Sequence, residues 1–183
     1  MSKIKLITDP EEINELYQFI KKYPLNYPNY SEWLKKCKCE LELGYKKAYV
    51  CELNGKIIAS LIFQPHKQDP LLLELKNVRV IEEYQRKKVF STLLKEAIYY
   101  ARQNGFKKIV VDAHTDNEVI KPLQKLGFSI ESYENLYSPE LEIVLGLDLS
   151  SRVTSLDSVL EKIQIKVKII EQLILKMLKL LFI

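Results

Sequence analysis

Three cysteines and two histidines are few for 183 residues, and they stand in no arrangement that would hold a metal or a disulfide framework. Cys37, Cys39 and Cys51 are odd in number, include no CxxC pair and lack the partner cluster that a zinc site needs. Reduced thiols are the expectation. No stretch of about 18 uncharged apolar residues occurs, so no helix is expected to span a bilayer. The opening MSKIKLITDPEE turns acidic before any apolar segment develops; no secretory leader is expected, and a cytoplasmic protein is. Excess charge of one sign is scarce too. The net charge is +4, and residues 150–183 supply most of it, with Arg152, Lys162, Lys166, Lys168, Lys176 and Lys179 against Asp157, Glu161 and Glu171. The rest of the chain is near neutral, which argues against nucleic acid as a partner. Neither an internal repeat nor a low-complexity segment appears. What is present, 47% hydrophobic and 28% charged residues, suits one globular domain with a sizeable core and an appendage.

Hydrophobic spacing orders the elements. KIKLI is a short strand, and Asp9 before Pro10 opens a helix with Ile13, Leu16, Tyr17 and Ile20 on one face. KYPLNYPNY breaks it. Ser31 is expected to cap a second helix carrying Trp33, Leu34 and Cys37 and ending at Gly44. AYVCEL, the dipeptide Asn54-Gly55 and KIIASLIF spell a two-residue hairpin. A third strand, LLLELKNVRVI, runs into the basic hexapeptide QRKKVF at 85–90. Then come a helix from Val89 to about Gln103, the strand KKIVVDA, a short helix in NEVIKPLQKLG, and two closing strands.

That order, with ELKNVRVIEEYQRKKVFSTLL and the downstream DAHTDNEVIKPLQKLGF, resembles the GNAT superfamily of acyl-CoA-dependent N-acyltransferases over roughly residues 3–149. The resemblance implies an α/β (α+β) fold: a mixed, mostly antiparallel twisted sheet with helices on both faces. It implies a domain at 1–149 and a separate amphipathic segment at 150–183. It also implies an N-acetyltransferase that uses acetyl-CoA as co-substrate, needs no metal, and passes the acetyl group directly to a small-molecule or peptide amine. The alternative is a catalytically degenerate module of the same fold that acts in binding or assembly through its last helix.

In the family, a loop of pattern Gln/Arg-x-x-Gly-x-Gly/Ala offers helix N-terminal N–H groups to the coenzyme A pyrophosphate. Gln85 matches the first position, while Lys88 and Phe90 stand where the small residues belong. Arg86, Lys87 and Lys88 could add charge contacts to phosphate, and with Val89 the loop at 85–90 is either a working cradle or a degenerate one. Val78 and Val80 fall where main-chain groups of a bulged strand meet the pantetheine arm and the thioester carbonyl. Glu74 matches the place of a glutamate that takes the proton from the acceptor amine, or else it pairs with a lysine on the neighbouring strand. Asn117 matches an asparagine that bonds the pantetheine arm. Leu123 stands where relatives carry an acidic tyrosine, for which Tyr133 and Tyr137 are conceivable substitutes.

Asp112, His114 and Asp116 alternate and could share one face, lining the site rather than closing a metal sphere. His66 belongs to a loop, at the acceptor entrance or without a role. Tyr23, Tyr27, Tyr30 and Trp33 serve the core or the acceptor pocket. Past Leu149, Thr154 and Asp157 form a capping box, and Leu156, Leu160, Ile163, Val167, Ile170, Ile174, Met177 and Leu181 mark a seam of period 3.5. Pairing with a second copy or a partner helix through residues 156–182 suits it best. Peripheral contact with an anionic membrane, or packing on the chain's own body, stays open.

Overall fold

The structure, a computed structural model, describes residues 2–25, 29–135 and 141–150. The elements follow the expected order: β1 (Lys3–Ile7), α1 (Pro10–Lys22), α2 (Tyr30–Glu42), β2 (Lys47–Leu53), β3 (Lys56–Pro65), β4 (Leu72–Val80), α3 (Val89–Gln103), β5 (Lys108–His114), α4 (Ile120–Lys125), β6 (Ser129–Glu134) and β7 (Glu142–Asp148). The amphipathic helix expected across 156–182, Tyr27 and Tyr137 lie outside the described residues.

Local chemistry explains most of the boundaries. Asp9 caps α1 by accepting the Glu11 N–H at 2.7 Å, and Pro10 occupies a first-turn position where no amide donor is needed. Asn54 and Gly55 both take positive φ, the conformation of a tight hairpin turn. One boundary differs from expectation. Ser31 is already inside α2, and the helix starts from Asn29 in a left-handed conformation without a side-chain cap.

The seven strands form one sheet in the order β1-β2-β3-β4-β5-β7-β6. Every neighbouring pair is antiparallel except β4 and β5, the two strands joined through α3. Strand alternation divides the core. Ala59, Leu61 and Phe63 of β3 face Leu93, Leu94, Ala97 and Ala101 of α3 and Leu123 of α4. Ile62 faces the other way, among Ile13, Leu16 and Ile20 of α1 and Leu34, Cys37 and Leu41 of α2. The result is helices on both faces of a mixed sheet.

Two irregularities of β4 position everything that follows. β4 pairs with β5 only from Leu72↔Lys108 to Leu75↔Val111; beyond that rung β4 stays with β3 and β5 stays with β7, so the sheet forks. On the β3 side Ile62 is opposite Asn77 and Phe63 is opposite Leu75, which leaves Lys76 as the extra residue of a bulge.

Candidate active site

A cleft of about 840 Å³ opens at the fork, lined by β4 from Leu75 to Val80, by Val111, Asp112 and Ala113 of β5, and by the loop ahead of α3. At the loop end the chain turns sharply. Arg86 and Lys88 adopt φ of 58° and 64°, the left-handed region where a residue with a Cβ is strained. Lys88 is the N-cap of α3 and offers no side-chain cap, so the first N–H groups of α3, from Val89, Phe90 and Ser91, have no acceptor within the helix. Gln85 ties the loop back to the strand, its Nε2 donating to the Val80 carbonyl at 3.2 Å.

Gln85, Arg86, Lys88, Val89 and Phe90 all line the cleft. The Phe90 ring also packs against the main core. Lys87 is the exception. Its ammonium lies over the Tyr84 ring, 5.3 Å from the centroid, and it is not part of the lining. Ser91 lines the cleft as well and was not singled out from the sequence.

Val78 and Val80 line the cleft past the bulge, on the stretch of β4 that no longer bonds β5. Asn117 reaches the cleft in the turn before α4, three residues ahead of the helix. Its Oδ1 accepts the Val119 N–H at 3.0 Å. Leu123 is 1% exposed; a buried leucine therefore fills the place expected of a tyrosine.

On the α1 and α2 side, the fork carries a chain of charged and amide groups. Glu74 is 8% exposed and is not part of the lining. Its Oε2 accepts from Gln64 Nε2 at 3.0 Å, and its Oε1 meets the Lys76 ammonium. Lys76 also lies 3.8 Å from Asp112 Oδ1, and both of these side chains face the cleft. Gln64 in turn accepts from Lys46, which is 2.8 Å from Glu40 on α2. Burial pushes the Asp112 carboxyl above the usual aspartate range, with Glu74 pushing the same way and Lys76 opposing. Glu74 thus does pair with a lysine, though one on its own strand, two residues on and therefore on the same face. Gln64 and Lys76, which complete this cluster, also escaped the sequence reading. A glutamine in the apolar run of β3 was its one visible signal.

Tyr30 and Trp33 of α2 stack with centroids 5.4 Å apart and line the cleft, and Asn77 Nδ2 donates to the Tyr30 hydroxyl at 3.2 Å. Asp112 and His114 share a face of β5, and His114 turns to Glu142 on β7 at 3.9 Å. Asp116 lies beyond the end of the strand, so the expected row of three is a row of two. His66 is absent from the lining. Its Nδ1 accepts from the amides of Gln68 and Asp69, both at 3.3 Å, and holds its own loop. Among the described residues no group of three His, Cys, Asp or Glu is placed to hold a metal ion, and no helix is long and apolar enough to cross a membrane.

The architecture has close counterparts. A GNAT-family protein from Desulfovibrio desulfuricans superposes with a TM-score of 0.68 at 12% identity, over 82% of this chain and 100% of that one. The ribosomal-protein-S18-alanine N-acetyltransferase of Escherichia coli gives 0.67 at 20% identity, over 85% and 98%. In sequence, the Xenopus tropicalis protein named "Probable N-acetyltransferase camello" is 25% identical over 114 residues, 59% of this chain and 52% of that one. The chain thus spans about half the length of that curated relative. The model of the acetyltransferase (GNAT) family matches residues 11–128, a stretch that runs from α1 through the fork and the loop before α3 to the end of α4. With that match lying on a forked sheet of the same architecture, this chain belongs to the GNAT acetyltransferase family.

Proposed function

We propose that this chain transfers the acetyl group of acetyl-CoA to a primary amine, borne by a small molecule or a peptide, by direct attack and without a covalent enzyme intermediate. The observation that carries this is the coincidence, in one cleft, of a forked and bulged β4 with the uncapped N-terminus of α3.

The residues fit the donor. The amides of Val89, Phe90 and Ser91 and the positive end of α3 favour a diphosphate, with Arg86 and Lys88 adding charge, Lys87 further out, and Gln85 bracing the loop. The main chain at Val78 and Val80, freed from β5 by the fork, suits the pantetheine amides and the thioester carbonyl. Asn117 flanks the same arm. Acetyl-CoA would supply the activated acyl group and a thiolate leaving group. An ammonium acceptor must lose a proton before attack; Asp112, which faces the cleft, would take it directly, and Glu74, held behind the lining and linked through Lys76, would do so only by relay. The stacked Tyr30 and Trp33 form the wall an acceptor would meet. A cytoplasmic location accords with three free thiols.

One observation favours a second reading, a module that kept the fold and lost efficient chemistry while assembling through residues 156–182. Leu123 and the strained Lys88 both depart from what an efficient transferase carries. Melting separates the two. Acetyl-CoA at about 100 times its dissociation constant should add roughly 2.7 kcal/mol of stability, and thiol release over a panel of amines should follow. No shift at millimolar acetyl-CoA overturns the transferase; a shift without thiol release on any amine leaves the module.

A further inference from the structure

The cleft contains an amine of its own. Lys76 and Asp112 are the first residues past the last rung joining β4 to β5, so both stand at the apex of the fork. Lys76 follows Glu74 by two residues and so shares its face of β4, and its ammonium meets Glu74 Oε1 and lies 3.8 Å from Asp112 Oδ1. An acceptor ammonium awaiting deprotonation would need this same seat. The Lys76 side chain is 13% exposed, and what exposure it has is toward the cleft.

Resting on the transferase reading, we propose that Lys76 is a self-acetylation site: the protein acetylates its own Lys76 Nζ from an acyl-CoA thioester bound in the fork. The ammonium gives one proton to Asp112, the carboxylate of the pair that faces the cleft. The neutral amine then forms a bond to the acetyl carbon as the carbon–sulfur bond breaks, and the second amine proton ends on the departing thiolate. The products are Nζ-acetyl-Lys76, free coenzyme A and one proton carried off by Asp112. Asp112 suits the step because burial already favours its protonated form. Glu74, tied to Gln64, is a positioning residue that holds the Lys76 stem at the apex.

Acetylation would remove the cation between two carboxylates and leave an amide lying across the acceptor seat. The modified chain would therefore bind acetyl-CoA and turn over external amines poorly, which makes the site a brake set by the acyl-CoA level when acceptor is short.

The test needs no acceptor. The full chain is incubated with acetyl-CoA alone, its acetylated peptides are mapped by mass spectrometry with time, and acetyl-CoA binding is followed in parallel by melting. Acetyl is expected at Lys76 at least roughly 100-fold faster than at Lys56, which is exposed and outside the cleft, the acceleration a positioned base supplies. Asp112→Asn should slow it, Lys76→Arg should abolish it, and prior unfolding should erase the preference. A melting shift with Lys76 unmodified, or labelled no faster than Lys56, overturns the self-acetylation and spares the transferase. Absence of any shift overturns both.

Discussion

Glu74 and Gln64 face each other across β3 and β4, the Gln64 amide donating to the Glu74 carboxylate at 3.0 Å, with Lys76 closing on the other oxygen. A carboxylate held from both sides in a nearly dry place is stabilising only while both partners remain. Glu74→Ala leaves the Lys76 ammonium with Asp112 alone and strips Gln64 of its acceptor. Urea unfolding should show a loss of about 3 kcal/mol, and Glu74→Gln, which keeps the shape and one hydrogen bond, a smaller one. Equal losses would mean that the shape and the remaining hydrogen bond contribute nothing and the charge carries the whole effect.

Lys88 opens α3 from a left-handed conformation that costs a residue with a Cβ about 1 kcal/mol. Lys88→Gly should raise stability by roughly that amount, less what glycine adds to the freedom of the unfolded chain. Lys88→Val should lower it, since a β-branched side chain tolerates that φ worst. The urea midpoints of the two variants should therefore move in opposite directions. If acetyl-CoA still shifts the melting of Lys88→Gly, the cradle depends on main-chain donors rather than on the lysine.

Lys5 on β1 bonds Glu12 of α1 and Glu52 of β2, both at 2.7 Å. The Lys5 hydrogen bond pulls the Glu12 carboxyl below its ordinary value of 4.5, against a smaller effect of burial. A depressed carboxylate contributes stability above the unfolded value and loses it as pH falls through the folded one. Relative to Glu12→Gln, the native chain should be more stable by about 0.5 kcal/mol at neutral pH, a modest figure because the pair is partly solvated. That advantage should vanish below the depressed value. A gap unchanged between neutral and strongly acidic urea titrations would contradict it.

Leu123 sits in the core with its neighbours Leu93, Leu94 and Phe128 fully packed. Leu123→Tyr, which restores the side chain common in the family, should destabilise by about 1–3 kcal/mol through overpacking. Thermal melting gives the sign directly; a neutral result would mean that the cleft side of α4 has room for a ring.

How much of this was legible beforehand follows from where each signal resides. The order of elements was readable because periodicity, the Asp9-Pro10 start and the Asn54-Gly55 turn are local. The helix behind the loop at 85–90 was readable because it is strongly patterned, but which loop side chains line the cleft depends on tertiary neighbours, as the packing of Phe90 on the core and the turn of Lys87 toward Tyr84 show. The bulge at Lys76 was not legible at all. It arises from the match of β3 against β4, and it puts Asn77 on the same face as Lys76, where it reaches Tyr30, and returns Val78 and Val80 to the α3 side. Ser31 misled because a helix can begin two residues early on a left-handed Asn29 when tertiary packing supports it.

A continuous β-sheet is a wall, and molecules on its two sides never touch. Here the wall stands on four rungs between β4 and β5 and then parts. Past the parting it becomes a doorway whose jambs are two separately braced leaves, one ending at β4 and the other beginning at β5. Whatever occupies the opening is reachable from the α1 and α2 layer and from the α3 layer alike, so two reactants can approach from opposite sides and meet in the plane between them without either crossing a packed interior.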